Sequence, residues 1–412
     1  MTWTSTWPWA LAEIAILTSA TWGPAAAWAE DEARQPAWLA LEGPEIPQPG
    51  PETEPARSPA ADADEPSARK LLLEAYAAGP SCQAAADYTR VIERCRKASA
   101  LPASAEAVAY AGQLASWAYN RRGEVLARAG RDEAAFEDFA ASVQFDPSRW
   151  RAYHNRGVSY ALAGDRQRAI ADFEQTMRLN PRYANAYYNC GEMRYDLGDY
   201  AEAIADYTRA IRLASDDVAA WNSRGHAFLR LNKFQEAVRD FSEALRRDPR
   251  YAAALANRGD VYCELGLYDK ALADLEQSVK IDPQLGHGQL SLAWLLATCP
   301  DERLRDPERA VEVARLAVQL DVNGDPRYLD TLAAAHARAG NFGAAQKAIR
   351  QAIRLAPREE AARYRSRLAL YDQLRPFEAA PAGVSNQQEA GPDAGRSADR
   401  RHDGPRLPAL GR

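Results

Sequence analysis

A 34-residue period constrains this chain more than any other feature of its sequence. A glycine recurs at that spacing five times in succession, an alanine follows each glycine by twelve residues, and a bulky apolar residue follows each alanine by four. The members of this pattern are Gly123, Gly157, Gly191, Gly225 and Gly259, then Ala135, Ala169, Ala203, Ala237 and Ala271, then Phe139, Phe173, Tyr207, Phe241 and Leu275. A repeat of this size predicts stacked helical units, each of which buries its apolar face against its neighbours.

The repeated glycine indicates how the helices of one unit meet. We count 34 positions per unit from Ser116, Trp150, Ala184, Val218 and Ala252, which places glycine at position 8, alanine at position 20 and the bulky residue at position 24. Glycine inside a helix costs about 1 kcal/mol relative to alanine. Five glycines in one phase therefore predict a close approach of two helices, where a Cβ atom would keep them apart. Position 32 is proline in four units and Ser215 in the third, so the second helix should end before it.

This pattern of aromatic residue, Gly, Tyr, Ala-x3-Phe and Pro resembles the tetratricopeptide repeat (TPR) family. The resemblance implies an all-α fold, a right-handed superhelical solenoid of antiparallel helix pairs (helix A, then helix B) with a concave groove. We expect about seven to eight units and a C-terminal capping helix. The sequence AWLLATCPDERLRDPERA near the end of the array also resembles the C-terminal part of a group of bacterial exported TPR proteins, for which no common activity is implied.

The segments outside the five regular units deviate from the pattern in different ways. Leu72 stands at the glycine position of a degenerate first unit, and additional residues separate that unit from the next. The segment 376–412 has few apolar residues and is expected to be a disordered tail. The expected order is a first TPR-like unit with an insertion at 67–115, regular units at 116–285, an irregular unit with a longer turn at 286–325, a last unit at 326–359, a capping helix at 360–375 and the tail.

Residues 1–29 are expected to be an export signal. An apolar run from Ile14 ends in Ala-Trp-Ala at residue 29, a cleavage pattern that acidic residues follow. Eight prolines in residues 30–66 predict an extended, disordered linker. We therefore expect a periplasmic or secreted protein without a stable membrane span. The first residues carry no Lys or Arg and Glu13 interrupts the apolar run, so a cytoplasmic location stays an alternative.

The bulk composition argues against several classes of function. The net charge of -6 gives no broad attraction to nucleic acid. The five cysteines form no CxxC pair and read as small buried hydrophobic residues; Cys82 and Cys95 should share one helix, about 20 Å apart. There is no GxSxG, glycine-rich phosphate loop or HExxH motif. We expect a monomeric, non-enzymatic protein with no metal and no cofactor.

Two charged positions change together along the repeats. Position 7 is arginine in four units and Cys190 in the third, whereas position 23 is aspartate in all five. Both charges are absent from the sixth and seventh units, so we expect the two positions to meet, either within a unit or between neighbours. The expected role is an exposed ion pair that contributes about 0–1 kcal/mol to stability, and a role in partner binding is the alternative. The residues are Arg122, Arg156, Arg224 and Arg258, with Asp138, Asp172, Asp206, Asp240 and Asp274.

Asparagines recur on helix A where the family resemblance implies that partners bind. An asparagine amide both donates and accepts hydrogen bonds, so a row of them is able to pair with the backbone of an extended peptide; hydrogen bonds within or between helices are the alternative. Basic residues lie near the start of this face and acidic residues further along, which either orients a peptide or reflects chance. The expected peptide-binding residues are Asn120, Arg121, Arg151, Asn155, Tyr188, Asn189, Glu192, Asn222, His226, Asn257 and Asp260.

The sequence thus favours a scaffold that binds an extended segment of a partner protein in its groove. Two alternatives stay open. One is a cytoplasmic or membrane-tethered TPR adaptor, and the other is a regulatory subunit of an enzyme complex. The identity of the partner does not follow from the residues.

Overall fold

The computed structural model describes residues 46–47 and 65–380. The expected export signal, most of the expected linker and residues 381–412 lie outside the described residues. From residue 65 to residue 380 the chain forms α-helices and two short 3-10 turns, and no strand. The helices are α1 Glu65–Ala78, α2 Ala85–Ser99, α3 Ala105–Arg128, α4 Asp132–Phe145, α5 Trp150–Leu162, α6 Arg166–Leu179, α7 Ala184–Leu197, α8 Tyr200–Leu213, α9 Val218–Arg230, α10 Phe234–Arg247, α11 Ala252–Glu264, α12 Tyr268–Ile281, α13 Gly286–Thr298, α14 Pro307–Leu320, α15 Pro326–Arg338, α16 Phe342–Leu355 and α17 Ala361–Asp372.

Successive helices pack as pairs, and each pair packs on the next. Helices α3 and α4 form the first regular unit, α11 and α12 the fifth, and α13 to α16 the two units that follow. The second helix of each pair also contacts the first helix of the next pair, and α17 packs on α16 at the end. The expected all-α solenoid of helix pairs is confirmed.

The position-8 glycines lie where the two helices of a unit approach most closely. A Cβ atom built on Gly225 would lie 2.7 Å from Cε1 of Phe241, and one built on Gly157 would lie 2.8 Å from Cε1 of Phe173. These distances are far inside normal contact, and both rings are at most 1% exposed. The glycine therefore makes room for the position-24 side chain of its own unit, as the sequence predicts.

Turn chemistry fixes where each helix ends. Position 15, between helices A and B, has positive φ in all five regular units; it is glycine in four of them and Asn232 (φ 57°) in the fourth. The residue before the position-32 proline is extended, as at Asp146 and Asp248. Its side chain accepts a backbone N–H two residues on, at 3.0 Å for Asp146 and 2.9 Å for Asp248.

The two ends of the array are more ordered than the composition suggests. Most of the insertion before the first regular unit is helical, because α3 begins at Ala105 and runs for 24 residues. Ile46 packs in the core of the first pair, and the Tyr110 hydroxyl donates to the carbonyl of Pro47 at 3.3 Å, so part of the expected linker contacts the fold. Residues 376–380, the beginning of the expected tail, pack against α13 and α15.

The cysteines are free, and four of the five are buried. The expectation that Cys82 and Cys95 share a helix is wrong, because the proline-containing 3-10 turn Gly79–Ser81 intervenes and α2 begins only at Ala85. Within the described residues, no helix is long and apolar enough to cross a membrane.

Candidate functional site

The first helices of successive units form one continuous inner face. Helices α3, α5, α7, α9, α11, α13 and α15 each contact the next in this series, and within residues 65–380 the second helices show no comparably close approach to one another. The side of a curved stack on which neighbouring units approach closely is its concave side. We call this face, formed by α3, α5, α7, α9 and α11 in the regular units, the groove.

A lateral ladder of polar contacts ties neighbouring groove helices together. In each case the position-6 side chain of one unit reaches the position-5 side chain of the preceding unit, 35 residues earlier. The four contacts are Asn155 to Asn120 (3.0 Å), Asn189 to His154 (3.1 Å), Ser223 to Tyr188 (3.4 Å) and Asn257 to Asn222 (3.0 Å). The asparagines that the sequence singles out therefore hold neighbouring units in register.

His154 is part of this ladder in a defined protonation state. Its Nε2 lies 3.1 Å from the Asn189 amide nitrogen and accepts from it, and its Nδ1 lies 3.4 Å from the Asn155 oxygen. This arrangement requires a neutral imidazole with its proton on Nδ1. Burial lowers the pKa of His154 to about 4, which agrees with the neutral form.

Position 9 is acidic in every second regular unit: Glu124, Glu192 and Asp260. Glu124 is buried and accepts hydrogen bonds from Arg121 (2.5 Å) and Asn120 (2.7 Å). The hydroxyl of Tyr207 donates to Glu192 at 2.6 Å, and His287 lies 2.8 Å from Asp260. Burial raises the pKa of both Glu124 and Glu192.

The other expected peptide-binding residues differ in their aromatic contacts and in how far they are buried. The guanidinium of Arg151 lies 4.5 Å above the ring of Trp150, and the ring of His226 is 5.5 Å from that of Phe241. Several of the expected peptide-binding residues are half-buried and four are buried. The half-buried residues are Arg121, Arg151, Asn155, Tyr188, Glu192, Asn222 and His226; the buried ones are Asn120, Asn189, Asn257 and Asp260.

The division of charge along the groove is weaker than the sequence suggests. Arg121, at the basic end, is neutralised by Glu124 one turn away. Toward the acidic end, Asp196 pairs with Arg166 at 3.1 Å. Ion pairs within the protein thus neutralise charge at both ends of the groove. A bound peptide would contact a surface of mixed charge.

The arginine at position 7 and the aspartate at position 23 meet within each unit that has both. Arg224 donates to the two carboxylate oxygens of Asp240 at 2.7 and 2.8 Å, and Arg122 binds Asp138 in the same two-pronged way. The predicted pairing is confirmed, but the expectation of an exposed pair is wrong. The side chain of Asp240 is 6% exposed and that of Arg224 is 14% exposed.

Three of these arginines, Arg122, Arg224 and Arg258, also join neighbouring units, which the sequence does not predict. The third donor of Arg224, Nη1, lies 3.0 Å from the hydroxyl of Thr208, and that of Arg258 lies 3.0 Å from the hydroxyl of Ser242. Both acceptors occupy position 25 of the preceding unit. We call an arginine with its position-23 aspartate and its position-25 acceptor a clasp.

The third unit builds its clasp from a different position. Cys190 stands at position 7 there, and Arg194, one helical turn later, binds Asp206 of its own unit at 2.5 Å. The other guanidinium nitrogen of Arg194 donates to Glu174, at position 25 of the preceding unit, at 2.7 Å. A long arginine side chain one turn along the same helix face therefore replaces the missing one.

Within residues 65–380, no three His, Cys, Asp or Glu side chains are grouped closely enough to hold a metal ion. The described histidines other than His154 lie in different helices, with His287 beside Asp260 as described above.

Comparison with known proteins identifies the repeat. A tetratricopeptide repeat model matches residues 150–183, a TPR repeat model matches 191–232, and a second tetratricopeptide repeat model matches 222–285. No curated protein matches the chain. The matched ranges lie in the segment where the clasps and the position-8 glycines recur.

Three solved structures illustrate the similarity in fold. PilF of Pseudomonas aeruginosa is 20% identical, with a TM-score of 0.45, over 54% of this chain and 98% of its own. YrrB, described as a TPR protein with an unusual peptide-binding site, is 23% identical, with a TM-score of 0.38, over 42% and 88%. MamA of Desulfovibrio magneticus RS-1 is 18% identical, with a TM-score of 0.39, over 41% and 96%. With its 34-residue units, its paired helices and the three family-model matches, the chain is a tetratricopeptide repeat protein.

Proposed function

We propose that this protein is a non-enzymatic scaffold that binds an extended segment of a partner protein along its groove. The observation that carries the proposal is the lateral ladder, because it fixes a row of polar side chains across the five groove helices before any partner binds. Side chains that are already ordered lose little conformational entropy on binding. The repeat family to which the chain belongs supports protein binding as the general role.

The half-buried groove residues supply the contacts in this proposal. Arg151 on α5 and His226 on α9 lie two groove helices apart and belong to neither the ladder nor the clasps. Asn222 accepts through its amide oxygen in the ladder and retains its amide nitrogen as a donor, whereas the Asn155 amide nitrogen already donates to Asn120 and Glu124. The buried asparagines position the row rather than contact the partner.

Site-specific photo-crosslinking in the native host tests the proposal. Crosslinkers at Arg151 and at His226 should capture the same partner segment, as identified by mass spectrometry. The control is a crosslinker at Arg239, which lies on helix B of the fourth unit and is 72% exposed. Capture from Arg239 alone, or different proteins from the two groove positions, would argue against a bound segment in the groove.

The captured segment then allows a quantitative test. The double substitution Arg151→Ala and His226→Ala should weaken binding about tenfold or more, a loss of about 1.4 kcal/mol. Arg239→Ala should leave the affinity unchanged. Equal affinities of both variants and the unsubstituted protein would rule out the groove as the binding surface.

A further inference from the structure

A short segment after α17 covers the end of the inner face. The chain reverses at Leu374, which has a positive φ of 54°, and the segment Pro376–Ala379 then runs back over α15 to the end of α13. We call Pro376–Ala379 the strap. It lies against the first helices of the sixth and seventh units, which continue the face formed by the regular units.

An aromatic side chain anchors the strap. The ring of Phe377 lies 5.7 Å from that of Trp294, and the guanidinium of Arg367 lies 4.4 Å from the Phe377 ring and 4.8 Å from the Trp294 ring. Arg367 in turn pairs with the fully buried carboxylate of Asp330. Phe377 thus covers a tryptophan and a paired arginine that would otherwise form an open aromatic and cationic surface.

Main-chain and charge contacts complete the binding of the strap. Arg338 donates to the carbonyl of Phe377 at 2.9 Å, and the N–H of Ala379 donates to the carbonyl of Thr298 at 3.1 Å. The carboxylate of Glu378 lies 3.3 Å from both Arg305 and Arg338. An anchored side chain, a main-chain donor and acceptor, and a matched charge are the contacts that an extended peptide makes with a receptor.

We propose that the strap is an intramolecular ligand that closes the inner face at the sixth and seventh units. The site beneath it accepts an extended segment in which an acidic residue follows an aromatic one, and the strap competes with any such segment. Glu378 retains a side-chain exposure of 57%, so the charge contacts lie at the rim, where a competing segment is able to exchange with them. The inference does not depend on a partner in the groove of the regular units.

Binding of the strap sequence in trans tests the proposal. The probe is a fluorescently labelled peptide of residues 373–382, QLRPFEAAPA, titrated into the full chain and followed by fluorescence anisotropy. Two full-length variants open the site: Phe377→Ala removes the anchor, and Glu378→Arg places a cation beside Arg305 and Arg338. The peptide should bind both variants about tenfold or more tightly than the unsubstituted chain, because a tethered segment competes at a high effective concentration.

The controls separate strap release from general disruption. Phe145→Ala removes a ring on α4, which is distant in the chain and stacks on Tyr119, and should leave the peptide as weakly bound as in the unsubstituted chain. A peptide with alanine in place of Phe377 should bind none of the proteins. Equal binding to all of them, or no binding to either opened variant when its circular dichroism is native, overturns the proposal. If Phe377→Ala fails to fold, Glu378→Arg decides the outcome, because its substituted side chain is largely exposed.

Discussion

Loss of one arginine from a clasp should weaken the array far more than loss of an exposed arginine in the same unit. In the fourth unit, Arg224 makes two hydrogen bonds to Asp240 and one to Thr208. Substitution by methionine keeps most of the apolar stem but leaves the Asp240 carboxylate buried without a counter-ion. Removing one partner of a buried pair costs about 3–5 kcal/mol. We expect Arg224→Met to lower the free energy of unfolding by an amount in this range at pH 8.

The size of the loss should depend on pH in a defined direction. Burial already raises the pKa of Asp240, and Arg224 opposes that rise. Without Arg224 the pKa in the folded state rises further above its value in the unfolded chain. The free energy of unfolding of the variant then falls as the pH rises through the new pKa, so the destabilisation should be smaller at pH 5 than at pH 8.

Denaturant unfolding combined with hydrogen exchange provides the assay. Because repeat arrays do not always unfold as one unit, exchange of the amides in α9 and α10 reports the local effect. Arg239→Met is the matched control: the side chain is 72% exposed and 4.0 Å from Glu236, so the change should stay within about 0.5 kcal/mol.

A double substitution tests whether the cost comes from the stranded charge. Arg224→Met with Asp240→Leu replaces the pair by apolar side chains, and should recover most of the stability lost by Arg224→Met alone. If Arg224→Met costs less than about 1 kcal/mol, or if the double variant is no better than the single one, the clasp does not stabilise the array as we infer.

Three further outcomes follow from the structure. Gly225→Ala forces a Cβ atom against Phe241 and should lower the free energy of unfolding by about 1–2 kcal/mol, whereas Gly343→Ala, in α16 with no atom within 4 Å, should be neutral or stabilising in the same denaturation experiment. The pKa of His154 is about 4 against an ordinary 6.5, so up to about 3 kcal/mol of stability should be lost as the pH falls from 6.5 to 4. His154→Gln should flatten that dependence, and an unchanged pH profile would contradict the neutral, buried assignment. If the protein is exported, the intact mass of the chain purified from its host should correspond to a start at Glu30, and a chain that retains residue 1 would contradict cleavage.

The sequence predicts the contacts that repeat with one residue type. Glycine at the same position of five units predicts the close approach of helices A and B. Glycine is unfavourable inside a helix, so its recurrence indicates that no larger residue fits there. The joint loss of arginine and aspartate in the last two units predicts the pairing seen for Arg224 and Asp240. In both cases the same chemistry recurs at the same position, so the signal accumulates over the units.

The contacts between units escape sequence reasoning for a physical reason. The acceptor at position 25 is Thr208 in one unit and Glu174 in another, because any oxygen within reach satisfies an arginine donor. The ladder pairs His154 with Asn189 at a separation of 35 residues, one more than the period. No single residue type and no multiple of 34 marks these contacts.

The strap shows a different limit. Of its four residues, Phe377 and Ala379 pack in the apolar core around α13, but a composition rich in proline and alanine suggests disorder. The backbone hydrogen bonds that hold the strap, such as Ala379 to Thr298, have no sequence signature. Such a segment is recognised only once the positions of the side chains that bind it, such as Trp294 and Arg338, are known.

The clasp of the third unit restricts where that unit fits in the array. Arg194 of the third unit is matched to the carboxylate of Glu174 before it, whereas Arg224 of the fourth is matched to the hydroxyl of Thr208. A third unit transplanted behind the fourth would place its arginine near Ser242, and the charge balance of that junction would change. A unit that looks interchangeable in a repeat alignment is therefore matched to the unit before it, and moving the third unit would create a mismatched junction although every unit kept its own fold.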